Sequence, residues 1–198
     1  MGITGGIATG KSTASLYLTS QGYTVIDADK IAHQILELPE IIERLEQSFG
    51  PTILTEQGLI DRKKLGAIAF VSEKEIAKLN AITQPLIRKT ILEEIAKEKQ
   101  TQIQEGKKNK IIFVDIPLLF EMNYEKEFDK IIVLSTDEKT QITRIKQRDN
   151  ITKKQAQDII NRQLPLATKA AKADYVIDTT GLEAQTQAQL KNTLKEIL

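Results

Sequence analysis

Short apolar runs rich in β-branched residues recur along the chain at Tyr23–Ile26, Ile111–Val114, Ile131–Leu134 and Tyr175–Ile177, with helical or polar stretches between them. That alternation predicts an α/β fold: a parallel sheet with helices on both faces. The second and third runs are apolar at nearly every position, which suits strands buried on both sides. Between the first and second runs the apolar positions change to helical spacing: Ile41, Leu45 and Phe49, then Ile76 and Leu79, then Ile87, Ile91 and Ile95. A helical insert over roughly residues 30–105 is expected. Pro85 lacks an amide donor and its ring crowds the preceding turn, so it should kink or split the insert's long helix. The polar stretch Lys97–Lys110, with the basic run Lys107, Lys108 and Lys110, reads as a solvated helix end and loop.

Two helix starts follow the third run. Ser135 with Glu138, and Thr152 with Gln155, have capping-box spacing. In the first of these helices Arg144 and Arg148 share a face, roughly opposite Ile142 and Ile145; in the second, Ala156, Ile159 and Ile160 form the apolar side and Arg162 projects elsewhere. Two arginine-bearing helices over roughly residues 136–172 have the form of a lid, and the same spacing also fits an ordinary solvated face.

One dense motif adds chemistry to this architecture. Gly5-Gly6-Ile7-Ala8-Thr9-Gly10-Lys11-Ser12 is a full G-x-x-x-x-G-K-[ST] phosphate-binding loop. Gly5 and Gly10 are expected to take backbone angles that a β-carbon forbids, so that successive N–H groups turn toward phosphate oxygens. Lys11 reaches the β and γ phosphates, Ser12 ligates Mg²⁺, and the helix opening through Thr13 aims its positive end at the same anion. The expected ligand is ATP. Only Met1–Thr4 precede the loop, short for the buried strand that feeds it, so a trimmed first strand is expected.

Phosphoryl transfer also needs acids at the strand ends, where open α/β sheets form their ligand crevice. Asp27 and Asp29 follow the first run at a spacing of two, and extended backbone would aim both to one side. Asp115 closes the Ile111–Val114 run as the acidic partner of the loop, holding Mg²⁺ through water. Each acid also fits a cap or turn role. His33, four residues after Asp29, suits either the same pocket or a packed or solvent-facing position. Glu121 carries a weaker signal.

Composition narrows the class. A chain of 198 residues, 40% hydrophobic, can bury a core as one domain. Lys plus Arg (28) nearly balances Asp plus Glu (27), which removes any global electrostatic case for nucleic acid or an acidic membrane. Cysteine, signal-peptide organisation and membrane-length apolar runs are all absent from the sequence, so a cytoplasmic protein is expected, with a monomer favoured.

Dispersed motifs extend the reading. Thr4-Gly5-Gly6-Ile7 through Thr13, Asp27-Ala28-Asp29 leading into Ile31-Ala32-His33, and Gly58-Leu59-Ile60-Asp61-Arg62 with Leu65 and Phe70 stand in the first half. Asp115-Ile116-Pro117-Leu118-Leu119-Phe120-Glu121, Gln147-Arg148-Asp149, Gln163, Lys169, Ala173–Asp178 and Gly181 follow. Together they resemble the bacterial dephospho-CoA kinases over nearly the whole chain. The resemblance implies a P-loop NTPase-type three-layer α/β/α fold with a parallel five-stranded sheet. Its nucleotide core would span about 1–29 and 106–198, with the insert holding the acceptor and the lid excluding water. It implies transfer of the ATP γ-phosphoryl to the ribose 3′-hydroxyl of dephospho-CoA, with Mg²⁺. Asp29 would be the base or hydroxyl-orienting residue with Asp27 beside it, and Lys11, Arg144 and Arg148 would stabilise phosphate charge.

Some positions depart from the family pattern. Gln84 stands before Pro85 where His is common, Ile159 replaces an arginine four residues before Gln163, and Thr179 replaces Asn after the last strand's acid. Ala8-Thr9 replaces the commoner Gly-Ser, with little effect expected. Two rivals remain from residues alone: another small-molecule kinase, and a switch ATPase whose output is a partner protein.

Overall fold

The computed structural model of the chain describes residues 1–106 and 110–197. Five parallel strands, β1 (Gly2–Gly5), β2 (Thr24–Asp27), β3 (Ile112–Asp115), β4 (Ile131–Ser135) and β5 (Tyr175–Asp178), form one sheet in the order β2-β3-β1-β4-β5. Among the described residues the helices are α1 (Lys11–Ser20), α2 (Ala28–Ile35), α3 (Pro39–Phe49), α4 (Arg62–Ala69), α5 (Glu73–Gln104), α6 (Glu138–Asp149), α7 (Lys153–Ile160), α8 (Leu166–Ala171) and α9 (Glu183–Ile197).

Each expected strand is present, and the second to fifth run on to a polar residue that the apolar runs leave out: Asp27, Asp115, Ser135 and Asp178. The register sets Asp27 beside Asp115, Gly5 beside Leu134 and Ser135 beside Asp178 at the carboxyl edge. β1 is central and its chain crosses to β2 on one side, while β3 crosses to β4 on the other, so the loop after β1 and the acid ending β3 flank the switch point where such sheets bind ligands.

The chain divides into two compact units, Met1–Asp27 with Glu98–Leu198, and Ala28–Lys97. In the first, Ile3, Leu18, Phe113, Ile132 and Leu134 are wholly buried and pack with Ala14, Ile177, Leu190 and Leu194. Tyr23 meets Phe113 edge to face, ring centroids 5.5 Å apart. Each such aliphatic or aromatic burial contributes about 1.5–3 kcal/mol, which is why β3 and β4 are apolar up to their last residue. Thr24 Oγ1 donates to Glu98 (2.7 Å), tying the end of α5 to β2.

In the second unit, Ala28, Ile31 and Ile35 line the inward face of α2, Ile41 and Leu45 that of α3, and Leu65 and Ala69 that of α4. Asp61, inside the Gly58–Arg62 motif, is the N-cap of α4 and accepts from Lys63 N (3.0 Å) and Lys64 N (3.1 Å).

Several local expectations need correction. α5 runs through Pro85 without splitting. The ring removes one amide donor, but Ile82, Ile87 and Ile91 are buried on both sides of it and hold the two halves in one helix. Ser135 does not cap α6: it ends β4, and Asp137 takes the cap, accepting from Thr140 N at 2.8 Å. The Thr152/Gln155 capping box is present at α7. The helical end of the Lys97–Lys110 stretch reaches Gln104, and Lys107 and Lys108 lie outside the described residues.

Candidate functional site

The phosphate-binding loop joins β1 to α1, and its geometry assigns each glycine a separate reason. Gly10, the N-cap of α1, has φ 78, a left-handed conformation that favours glycine. Gly5 is different: it is strand residue, and a β-carbon there would lie 2.7 Å from the Leu134 carbonyl oxygen. Close approach to β4, not a forbidden backbone angle, is what requires glycine at position 5. Ala8 takes φ 58 without being glycine, a conformation that costs about 1–2 kcal/mol. The expectation that Ala8 has little effect therefore needs revising, because this loop holds strain that glycine would not.

That strained loop is held from outside. Lys169 Nζ donates to Gly5 O (3.2 Å), Thr9 Oγ1 to Gly6 O (2.8 Å) and Gln141 Nε2 to Ile7 O (2.8 Å). Arg144 Nη1 reaches Ala8 O (3.3 Å), and Thr179 Oγ1 donates to Thr9 O (2.9 Å). Every loop carbonyl from Gly5 to Thr9 thus has a donor. In a planar trans peptide the carbonyl and the following N–H point in opposite directions, so fixing the oxygens outward aims the intervening amides inward. Two amides are exceptions: Ile7 N donates to Gln163 Oε1 at 2.9 Å, and Thr9 N donates back to Gly6 O at 3.4 Å. The first-turn amides of α1 have no intrahelical acceptor and add the positive end of the helix.

At the floor of the loop, Lys11 Nζ pairs with Asp115 Oδ1, and Ser15 Oγ donates to Asp115 Oδ2 at 2.7 Å. Asp115 is buried, ending β3, and Ser12 is exposed at the head of α1 with Thr13 beside it. Ser12 and Asp115 are hard oxygen donors of the kind Mg²⁺ takes. Ser15 occupies one Asp115 oxygen and Mg²⁺ keeps several of its waters, so contact through water fits better than direct ligation.

Arg144 is spent on structure: besides Ala8 O, its Nη2 donates to Thr179 O (2.6 Å) and its Nη1 reaches Thr179 Oγ1 (3.4 Å). It lies on the inward side of α6 with buried Gln141 and Ile145, rather than opposite the apolar side. Arg148 instead forms a two-bonded pair with Asp149, 2.8 Å each, and that pairing holds the Asp149 carboxyl below its usual range. Arg162 is exposed.

Asp27 ends β2 and is exposed. Asp29 does not continue an extended backbone: α2 begins at Ala28, so Asp29 sits in a helical first turn. The alternation rule for strands therefore does not relate the two acids. His33 is exposed in the last turn of α2.

Gln141, Ser15 and the pair of Lys169 with Glu121 are participants that local spacing misses. Gln141 looks like any helix glutamine, and Glu121 and Lys169 are picked out only by the family pattern. Thr179, which departs from the family's Asn, is a buried clasp on the loop.

Comparison with known proteins now decides the family. The profile of the family described as dephospho-CoA kinase matches residues 1–185. The chain belongs to the dephospho-CoA kinase family. Dephospho-CoA kinases of Latilactobacillus sakei and Geobacillus kaustophilus are 38% and 41% identical to it, over 100% and 99% of this chain and 95% of each relative. The solved dephospho-CoA kinase from Campylobacter jejuni is 36% identical with a TM-score of 0.70, covering 99% of this chain and 95% of that one. A solved Thermus thermophilus protein, 26% identical, superposes with a TM-score of 0.83 over 100% of this chain and 96% of its own. A shikimate kinase from Bacteroides thetaiotaomicron (13% identity, TM-score 0.51) shares the fold alone. For a dephospho-CoA kinase family member, ATP is the co-substrate.

Proposed function

We propose that the protein transfers the γ-phosphoryl group of ATP to the ribose 3′-hydroxyl of dephospho-CoA, giving CoA and ADP, the last step of CoA synthesis. Family membership carries the acceptor. The observation that carries the chemistry is the clasping of the Gly5, Ile7, Ala8 and Thr9 carbonyls by distant side chains, with Thr9 Oγ1 holding the Gly6 carbonyl from within the loop. Such a loop holds part of its amide set toward an anion in advance, the preorganisation that stabilises charge on a transferring phosphoryl group.

On this reading Lys11 exchanges Asp115 for the β and γ phosphate oxygens. Ser12 and Asp115 hold Mg²⁺, Asp115 through water. When bound, Mg²⁺ neutralises charge on the phosphate oxygens. Asp29 orients or deprotonates the acceptor hydroxyl with Asp27 in support, and the unit Ala28–Lys97 holds the acceptor. Arg144 supports phosphate charge through the loop it braces, and Arg148 leaves Asp149 to reach the nucleotide. The helices α6, α7 and α8 act as a lid that excludes water. The enzyme acts in the cytoplasm on this reading; among the described residues no helix is long and apolar enough to cross a membrane. A monomer suffices for this chemistry.

The test is ATP consumption by purified protein with Mg²⁺, with and without dephospho-CoA. Consumption that requires the acceptor supports the reading. Steady hydrolysis that ignores it supports a switch ATPase instead.

A further inference from the structure

Lys169 is the one lysine among the described residues that is wholly buried, and the reaction as written above gives it no role beyond one of the bonds on the loop carbonyls. Its ammonium meets three acceptors: Glu121 Oε1 (2.7 Å), Gly5 O (3.2 Å) and Pro117 O (3.5 Å). Those partners saturate its three donors. Glu121 Oε1 also accepts from Leu164 N (3.0 Å), two residues before α8, while Glu121 Oε2 is buried with no partner among the described residues. Thr4 Oγ1 donates to the same Pro117 carbonyl at 3.2 Å.

A buried ion pair is a poor way to stabilise a fold, since apolar residues of similar volume usually do as well. What this pair supplies is connection. One ammonium joins the mouth of the phosphate loop at Gly5, the segment that follows Asp115, and the helix α8. Holding Gly5 O fixes the plane of the peptide between Gly5 and Gly6, and so the direction of the Gly6 amide. It also fixes the start of the loop relative to the strand end that carries Asp115.

We propose that Lys169, locked by Glu121, is a positioning residue for the triphosphate. It sets nucleotide affinity by fixing the Gly5–Gly6 peptide, without touching the nucleotide. The inference rests on the loop being the ATP site.

The test compares Lys169→Met, Lys169→Arg and the double variant Lys169→Met/Glu121→Gln with the parent. ATP affinity is read by titration calorimetry, KM for ATP and for dephospho-CoA by steady-state assay, and folding by circular dichroism. Loss of one charged contact to the loop should weaken ATP binding by about tenfold or more. KM for the acceptor should stay within about twofold, and Lys169→Arg should recover part of the affinity. The double variant leaves no buried charge stranded, so it stays folded where Lys169→Met alone does not, and it should keep the ATP defect. Parental ATP affinity in the folded double variant overturns the proposal, because the pair then only holds the fold together. Failure of the parent itself to bind ATP overturns the functional reading instead.

Discussion

Replacing Arg144 by alanine separates a brace on the loop from a direct phosphate contact. The guanidinium makes a short bond to Thr179 O (2.6 Å) and longer ones to Ala8 O (3.3 Å) and Thr179 Oγ1 (3.4 Å). The short charged bond is worth about 1.5–3 kcal/mol by deletion, and the longer two add less. Arg144 is only partly buried, so water replaces part of the loss and the lower end applies, about 2 kcal/mol. For a chain of this size that is a fall in Tm of roughly 4–8 °C. The same loss, if carried wholly by the nucleotide-ready loop, raises KM for ATP by up to about thirtyfold. Arg144→Lys should fall between, since a single ammonium keeps one carbonyl but lacks the fork that spans two. Thermal unfolding without nucleotide and steady-state kinetics at varied ATP measure both quantities. An Arg144→Ala protein with parental Tm and parental KM for ATP, but little turnover, would refute the brace and assign the guanidinium to the transferring phosphate.

Other expectations follow from single contacts. Asp29→Asn should lower kcat by about a hundredfold or more with ATP affinity nearly unchanged, as expected for loss of a general base, and an equal loss from Asp27→Asn alone would move the role to Asp27. Ala8→Gly removes the cost of φ 58 and should raise stability by about 1 kcal/mol, read as a higher midpoint in urea; a lower midpoint would mean that the loop does not hold that angle. The Lys130 hydrogen bond holds the Asp174 carboxyl below its usual range, with the Ile131 amide adding to the effect. Because the folded carboxyl is the stronger acid, its contribution is present above the unfolded value of about 4 and is lost as pH falls through the lower folded value. Asp174→Asn should therefore unfold more easily at pH 7 and show a flatter loss of stability below about pH 4, and an unchanged acid profile would contradict the assignment.

What the sequence discloses and what it hides divide along chain distance. The strands are legible because β3 and β4 are apolar at nearly every position, and each reading stops one residue early because the last residue, Asp115 or Ser135, is polar where the strand meets the crevice. The loop motif and its acidic partner are legible because their chemistry needs fixed residue types. Asp29 misleads because α2 starts immediately after β2, leaving no extended residues for a period of two. The clasp is invisible to spacing rules: Gln141, Arg144, Gln163, Lys169 and Thr179 reach loop residues 134 to 170 positions away. Lys169 in particular stands between Thr168 and Ala170 with Lys172 close by, and nothing local marks it as different from any solvated lysine until packing surrounds it.

The most direct test of the central claim is mass spectrometry of dephospho-CoA after incubation with the protein, ATP and Mg²⁺, with fragmentation to locate the new group. The expected product carries one added phosphoryl group on the ribose 3′-hydroxyl, with Lys11→Ala folded and nearly inactive. Unchanged dephospho-CoA alongside consumed ATP, or a phosphoryl group at another hydroxyl, would contradict it.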